Sequence, residues 1–460
     1  MNRKYGLILG VLMTAVIAGQ VLAVGFANGG TDGFQRINDQ GMTLSLSLQQ
    51  AIDYAKHNNV LLKVALEKID EAHGRRMLND SDLLPHVSLG ISQGRAFWEN
   101  LAAQGMLPFF AQVVPSGVIG PYNTFDARFQ VTQRIFDLSA ISKFQAANED
   151  VVIADFEEKL AQQQVVTAAV MAYLDVLQAR EQLQDVKKDV DLAEHLTRLA
   201  EHQLGAGVVT ELDVVRAETR LASQKAKEQG GIQTLNTALL SLKRITGLPL
   251  DSEVRPIDPL AFFVEKQLVI GDAVDIADKA RIEMFIADSK VKYEQYRLAQ
   301  ASRERLPKLD LYGDYGQSAV EPNKYAHSVA DIAVSMHMPI FEGGAIEGAI
   351  RQQRSQLTQA RTLYNDLQTQ VEEDVRLSLQ TLTTSTEQVK ASLEALKLAT
   401  KEVDLARDQY ANGVGNNIAV VDAQTTLEDS RQAYVTALVQ YHMARVNYYS
   451  ALGKVESFHL

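Results

Sequence analysis

The sequence predicts a mainly α-helical fold with membrane β-strands, in which a long helical hairpin occurs twice. Three observations carry this: a duplicated heptad stripe, long stretches without proline, and short segments of strict apolar–polar alternation. In the stripe, Leu183, Val186, Val190, Ala193, Thr197, Ala200 and Leu204 step by three and four residues. Adding 206 to each number gives Val389, Ser392, Leu396, Ala399, Val403, Ala406 and Tyr410 in the same phase. The offset persists beyond the stripe, since Gly207 maps to Gly413, Ala217 to Ala423, Leu221 to Leu427 and Gly247 to Gly453. A shared apolar period with shared glycine punctuation means two copies of one supersecondary unit.

The prolines set where long helices can run. All ten lie at 85, 108, 115, 121, 249, 256, 259, 307, 322 and 339, so 122–248 and everything after 339 are free of them. Proline costs about 3 kcal/mol inside a helix, and each free stretch therefore accommodates a helix, a glycine-marked tip and a return helix. In the first copy the ascending helix covers about 140–204, 65 residues, or roughly 100 Å at 1.5 Å per residue. Gly205 and Gly207 end it, and Thr210 is placed to cap the return helix, which closes near Gly247. Gly230 and Gly231 are expected to weaken or bend that helix. In the second copy the tip is residues 412–417, and Val420, Ala423, Leu427, Ser430, Tyr434, Ala437, Tyr441, Ala444 and Tyr448 mark the return stripe. These seams are rich in Ala, Ser and Thr. They are thin, so each helix needs neighbours on both sides, which suits a wall of helices better than a solid bundle. An ordinary antiparallel coiled coil fits the period equally well.

The segments before each hairpin decide between these. Val87, Leu89 and Ile91 alternate with Ser88, Gly90 and Ser92, and Phe125, Ala127, Phe129 and Val131 with Asp126, Arg128, Gln130 and Thr132. In the second copy Leu309, Leu311 and Tyr315 alternate with Asp310, Tyr312 and Asp314, and Ala330, Ile332, Val334, Met336 and Met338 with Asp331, Ala333, Ser335 and His337. Runs of about ten residues with a two-residue period are the pattern of a membrane strand, apolar to lipid and polar to a lumen. Phe97, Trp98, Tyr122, Phe125, Tyr312, Tyr315 and Tyr325 are expected to form interfacial girdles near the strand ends. Residues 100–124 carry no charge and either fold over the barrel mouth or prolong the strands. Four strands cannot close a barrel, because the smallest have about eight, and an open edge in lipid leaves backbone groups unsatisfied. Strands that span a membrane in this chain must therefore be shared between copies.

Composition bounds the rest. Residues 1–23 read as a secretory signal: Arg3 and Lys4, an apolar stretch at 6–18, and Val21-Leu22-Ala23 as the cleavage site. That stretch is shorter than the roughly 20 residues a spanning helix needs. There is no cysteine, hence no disulfide, thiolate metal site or lipidated N-terminal cysteine. The formal charge is −12, falling to −14 without Arg3 and Lys4, and no basic stripe invites nucleic acid. No phosphate-binding glycine loop, paired-histidine zinc motif or nucleophile motif is present, so neither enzyme activity, nor a cofactor, nor a metal is expected. His195 and His202 lie two turns apart, too far to chelate one ion, and Glu372-Glu373-Asp374 reads as a solvated helix face. The expected organisation is a signal (1–23), an N-terminal extension (24–42), a first repeat (43–247, strand pair about 85–136, hairpin about 140–247) and a middle, equatorial segment (248–272). A second repeat (273–453, strand pair about 307–341, hairpin about 343–453) and a tail (454–460) complete it.

With these parts in place the chain resembles the TolC-type outer membrane efflux family from about Thr43 to Gly453. The carriers are Leu48-Gln49-Gln50-Ala51-Ile52, Leu84-Pro85 and Leu306-Pro307, Ile135-Phe136-Asp137 and Pro339-Ile340-Phe341-Glu342-Gly343-Gly344. Leu212-Asp213-Val214, Val420-Val421-Asp422-Ala423-Gln424, Ile245-Thr246-Gly247 and Ala451-Leu452-Gly453 follow in order. The resemblance implies a homotrimer whose four strands per chain form a shared 12-stranded barrel in the cell outer membrane. It also implies an α-barrel across the periplasm, a periplasmic adaptor (membrane fusion) protein as partner, and an inner-membrane pump or ABC exporter supplying the energy. The implied function is the exit duct of a tripartite efflux or type I secretion system, gated at its helical tips. The alternative is a periplasmic coiled-coil adaptor or scaffold with no membrane barrel, which would fractionate as a soluble protein.

The resemblance also implies roles for residues. Asp213 and Tyr410 match positions that share a link at the closed aperture, whereas the arginine expected beside them is Gly415. Of two acidic positions ringing the entrance, one is Ala419 and the other Asp422; three copies of Asp422 would make an anionic ring favouring cations. Adaptor docking is expected at Gly205, Gly207, Val208, Thr210, Gly413 and Val414, where glycine permits close backbone approach. Finally, Phe136 to Gly207 is 71 residues but Phe341 to Gly413 is 72. One extra residue turns a helix by roughly 100° unless a local irregularity absorbs it.

Overall fold

The computed structural model describes residues 44–100, 118–207, 209–322, 324–411, 414 and 417–460. The expected signal and extension, most of the uncharged loop, and Val208, Gly413 and Gly415 lie outside them. The chain opens with strand β1 (Leu44–Leu46) and helices α1 (Leu48–Asn58) and α2 (Val60–Asp80). Strands β2 (His86–Ala96), β3 (Glu99–Asn100), β4 (Val118–Ile119) and β5 (Tyr122–Phe136) lead into the first hairpin, α3 (Leu138–Gly205) and α4 (Glu211–Thr246). Then come β6 (Val254–Pro256), α5 (Ile270–Ala280), α6 (Ile282–Arg303), β7 (Lys308–Ala319) and β8 (His327–His337). The second hairpin is α7 (Ala345–Ala411) and α8 (Asn417–Ala451).

Local chemistry explains the helix ends. The buried Asp137 caps α3, its carboxylate accepting from Ser139 N (2.8 Å) and Ala140 N (3.0 Å). The helix therefore starts two residues before the expected position. At the other end Gly207 takes φ +76°, and Asp213 Oδ2 accepts from Thr210 N (3.1 Å) and Thr210 Oγ1 (2.8 Å), tying down the first turn of α4. Those two bonds hold the Asp213 carboxyl below its usual range. α4 runs unbroken through Gly230 and Gly231. A β-carbon on Gly231 would lie 3.1 Å from Leu183 Cδ1, so this glycine lets α3 and α4 close together rather than breaking either.

The repeat mismatch is absorbed before the second hairpin. α3 begins two residues after Phe136, whereas α7 begins four after Phe341, past Gly343 (φ +60°) and Gly344 (φ +88°). The added length sits in a left-handed turn, and the stripe stays in phase: Leu183, Val190, Ala193, Thr197 and Ala200 are buried, as are Val389, Ala399, Val403 and Tyr410. On the strand side α2, α3, α6 and α7 pack in that order, and on the tip side α4, α3, α8 and α7. Each inner helix thus has neighbours on both flanks, as thin seams require.

The densest packing lies midway along the helices. β1 pairs in parallel with β6, joining the start of the described chain to the segment after the first hairpin. The buried Tyr173 of α3 binds both: its hydroxyl lies 2.9 Å from Leu46 O and 2.8 Å from Asp258 Oδ2. A second knot centres on Arg445, which is fully buried in α8. Its Nε donates to Glu265 Oε2 (2.8 Å), its Nη2 to His459 O (3.1 Å), and its guanidinium lies 4.1 Å from the Phe263 ring centre. Tyr449 donates to the other Glu265 oxygen (3.2 Å), and Tyr441 to Phe263 O (2.5 Å). His442 Nε2 lies 3.0 Å from Ala261 O and its Nδ1 3.2 Å from Arg445 Nη1. Burial first, then the Arg445 charge, lowers His442 to about 4; the neutral ring thus donates from Nε2 and accepts at Nδ1. This knot straps the extended segment before α5 and the C-terminal tail onto α8.

Two outcomes follow from the knot. Arg445→Met strands the Glu265 carboxylate in a shielded site and should cost about 3 kcal/mol, seen as a lower thermal midpoint by circular dichroism. His442 takes up a proton more readily when unfolded, so its contribution is complete above about 6.5 and is lost as pH falls toward about 4. His442→Gln should flatten that part of the stability profile relative to the parent.

Candidate functional site

The four long strands form one antiparallel sheet in the order β2-β5-β7-β8. Its register sorts the two faces. One row across the sheet is Val87, Val131, Gly313 and Ile332, and the next is Leu89, Phe129, Tyr315 and Ala330. Among the described residues nothing covers these apolar rows; Ile332 is 78% exposed. The opposite face carries Ser88, Gln130, Asp314 and Asp331 in one row and Ser92, Asp126, Ser318 and His327 in another. A one-residue slip would exchange the faces, so the register is what makes the sheet amphipathic.

Arg128 organises the polar face. Its Nη2 donates to Asp126 (2.7 Å) and its Nη1 to Asp314 (3.2 Å), with Asp331 3.8 Å away. Its neighbours in the row are Gly90 and Gly316. A β-carbon on Gly316 would fall 2.0 Å from Ala127 O and 2.8 Å from Arg128 Cγ, so only glycine leaves the track along which the arginine lies. Sequence reading noted the alternation but missed this cluster, whose members come from three strands. Among the described residues β2 and β8 each have a partner on one side only. Strands of 11 residues are long enough to cross a bilayer, and among the described residues no helix is long and apolar enough to do so.

Two expectations about the sheet change. β3 pairs with β4, so the described ends of the uncharged loop prolong the strand pair. Phe97, Trp98, Tyr122, Phe125 and Tyr325 gather at one end of the sheet, but Tyr312 and Tyr315 do not. Both lie mid-strand, Tyr315 opposite Phe129 on the apolar face and Tyr312 opposite Thr132 on the polar face. Alternation alone did not show that β7 begins at Lys308 and runs to Ala319.

At the far end the hairpin tips bring several expected residues together. Gly205, Gly207 and Thr210 are exposed on the first tip and Val414 on the second. Asp422 is exposed on α8. Tyr410 is buried at the end of α7, and its hydroxyl makes no hydrogen bond among the described residues. Burial and then the charge of Asp213 push Tyr410 upward, so the two residues share one electrostatic neighbourhood across the hairpins. A groove of about 580 Å³ runs between α4 and α8 there, lined by Val215, Arg216, Thr219, Arg220, Ile418 and Val421.

Comparison with known proteins gives this architecture its place. The family model described as "Outer membrane efflux protein" matches residues 51–248 and 281–454. The alkaline protease secretion protein AprF of Pseudomonas aeruginosa is 20% identical over 427 residues, covering 90% of this chain and 84% of that protein. The outer membrane protein TolC of Escherichia coli is 24% identical over 344 residues, 72% of this chain and 70% of TolC. Among solved structures, the CmeC outer membrane channel of Campylobacter jejuni superposes with a TM-score of 0.78 at 18% identity, covering 90% of this chain and 87% of CmeC. The alternative of a periplasmic scaffold without a membrane sheet does not fit these matches. The chain belongs to the outer membrane efflux protein family: it is a non-enzymatic channel of the TolC type, seated in the outer membrane and extending into the periplasm.

Proposed function

We propose that three copies of this chain form one exit duct of a tripartite efflux or type I secretion system. The observation that carries this is the four-stranded sheet with an exposed apolar face and two unpaired edges. Closing those edges with sister sheets gives a 12-stranded barrel and satisfies every backbone group in the lipid. The polar face with Arg128, Asp126, Asp314 and Asp331 then lines the lumen. Long helices carry the passage across the periplasm, and the tips of α3–α4 and α7–α8 form its narrow entrance.

In this reading Asp213 and Tyr410 couple the hairpins at the entrance, and three copies of Asp422 form an anionic ring that favours cations. A periplasmic adaptor docks on Gly205, Gly207, Val208, Thr210, Gly413 and Val414, with the groove between α4 and α8 receiving a helical hairpin. The duct has no nucleotide motif, so an inner-membrane pump or ABC exporter drives the cargo and selects it. The segment 248–272 serves as the equatorial link between the two repeats.

Crosslinking of detergent-purified protein should give a mass of three copies, and the same material should conduct, preferring cations, in planar lipid bilayers. A water-soluble monomer without conductance would overturn the reading. Gly207→Trp should abolish export in cells while trimer formation and outer membrane insertion persist; surviving export would exclude docking at the tips.

A further inference from the structure

A cavity of about 700 Å³ lies in the helical wall, between the sheet and the buried Tyr173. Its lining comes from four helices at once: Lys68 and Arg75 of α2, Asp150 and Glu157 of α3, Glu294 of α6 and Leu363 of α7. The two α3 residues stand 12 and 19 residues beyond Leu138, which places the cavity about 20–30 Å from the sheet. α2, α3, α6 and α7 pack as a row in that order, and neighbouring helix axes are about 8–10 Å apart. Side chains of the first and last helix can frame one cavity only where the row curves around it. The cavity therefore opens on the concave face of the wall, which becomes the lumenal face once three copies close the barrel.

Its chemistry is uneven. Ile153 and Ala154 form a buried apolar floor, and the small side chains of Ala287 and Ala360 leave room above it. Arg75 is already engaged, donating to Asp150 at 2.8 Å and to Glu71 one turn away. Lys68 and Lys290 are exposed. Glu294 differs from all of these. Its Oε2 is shielded from solvent and has no hydrogen-bond partner among the described residues. Burial raises its carboxyl above the usual range, and Arg297 opposes. A desolvated carboxylate oxygen without a donor is costly, and a cation that brings its own donors removes that cost. Glu157 lines the same space from α3, and the Tyr293 ring adds a surface that attracts cations. A volume of this order accommodates a drug-sized molecule.

We propose that this cavity binds amphipathic organic cations from the lumen, their amino groups meeting Glu294 and Glu157 while the apolar body rests on Ile153, Ala154 and Ala287. This rests on the reading of the chain as a duct wall. The shielded, unpartnered group is an acceptor, whereas the lysines are solvated, so a cation gains more here than an anion of the same size.

Ethidium, an aromatic cation carrying amino groups, serves as the probe, followed by fluorescence anisotropy with the detergent-purified protein. The parent should bind it saturably, one per chain. Glu294→Gln should weaken binding about tenfold or more, Ala287→Trp should abolish it, and Lys290→Gln should bind at least as tightly as the parent. Naphthalenesulfonate should not compete. Should Ala287→Trp fail to assemble, the Glu294 and Lys290 variants decide. Absence of saturable binding, equal affinity of parent and Glu294→Gln, or competition by the sulfonate overturns the site. The cysteine-free chain allows its placement to be tested separately. Leu363→Cys coupled to a bulky maleimide polymer should lose most of its conductance in planar bilayers, and ethidium should slow the coupling. Full conductance after coupling puts the cavity outside the passage and overturns the lumenal assignment. A parent that binds ethidium but never conducts overturns the duct reading while leaving the amine site in place.

Discussion

A backbone amide inside a bilayer has no water to bond, and leaving it unpaired costs several kcal/mol. That constraint governs this molecule. Among the described residues the sheet β2-β5-β7-β8 has two uncovered edges, and one of its faces is apolar. A soluble protein would hide both. Here the face is matched to lipid, and the proposed sister sheets complete the edges. Everything on the helical side can then be read as the means of holding three such sheets at one level.

The helices meet that demand through thinness. A stripe of Ala, Ser, Thr and Val gives a shallow seam, so α3 packs on two flanks rather than around a central core. Gly231 deepens one contact further by letting α4 approach Leu183. The cost of a thin wall is weak lateral cohesion. The middle of the molecule compensates with buried polar knots: Tyr173 joins β1 to the segment after β6, and Arg445 gathers Glu265, His442, Tyr449 and the tail. Each converts loose extended chain into a strap across the helices.

Charge is distributed by the same logic. On the sheet, Arg128 neutralises part of an acidic polar face and reaches across strands because Gly316 leaves room. Between the two hairpins, shielded pairs join one to the other: Glu428 accepts from Arg220, Gln224 and Lys227, and Asp189 from Arg431.

Much of this was legible in the sequence because it depends on local periods. Steps of three and four residues and strict alternation report secondary structure and its apolar face, and the 206-residue offset reports duplication. Thr210 as a cap and the open-edge argument needed nothing more. What the tertiary structure alone decided are pairings between residues far apart in sequence: Arg445 with Glu265 (180 residues), Arg128 with Asp314 (186) and Arg431 with Asp189 (242). No period encodes a partner at such separation. The same limit explains one misreading: Tyr312 looks like a girdle residue until its cross-strand neighbour is known. The sequence determined which surfaces must be covered; only the folded chain decided what covers them, because burial and ion pairing depend on distance in space and not along the backbone.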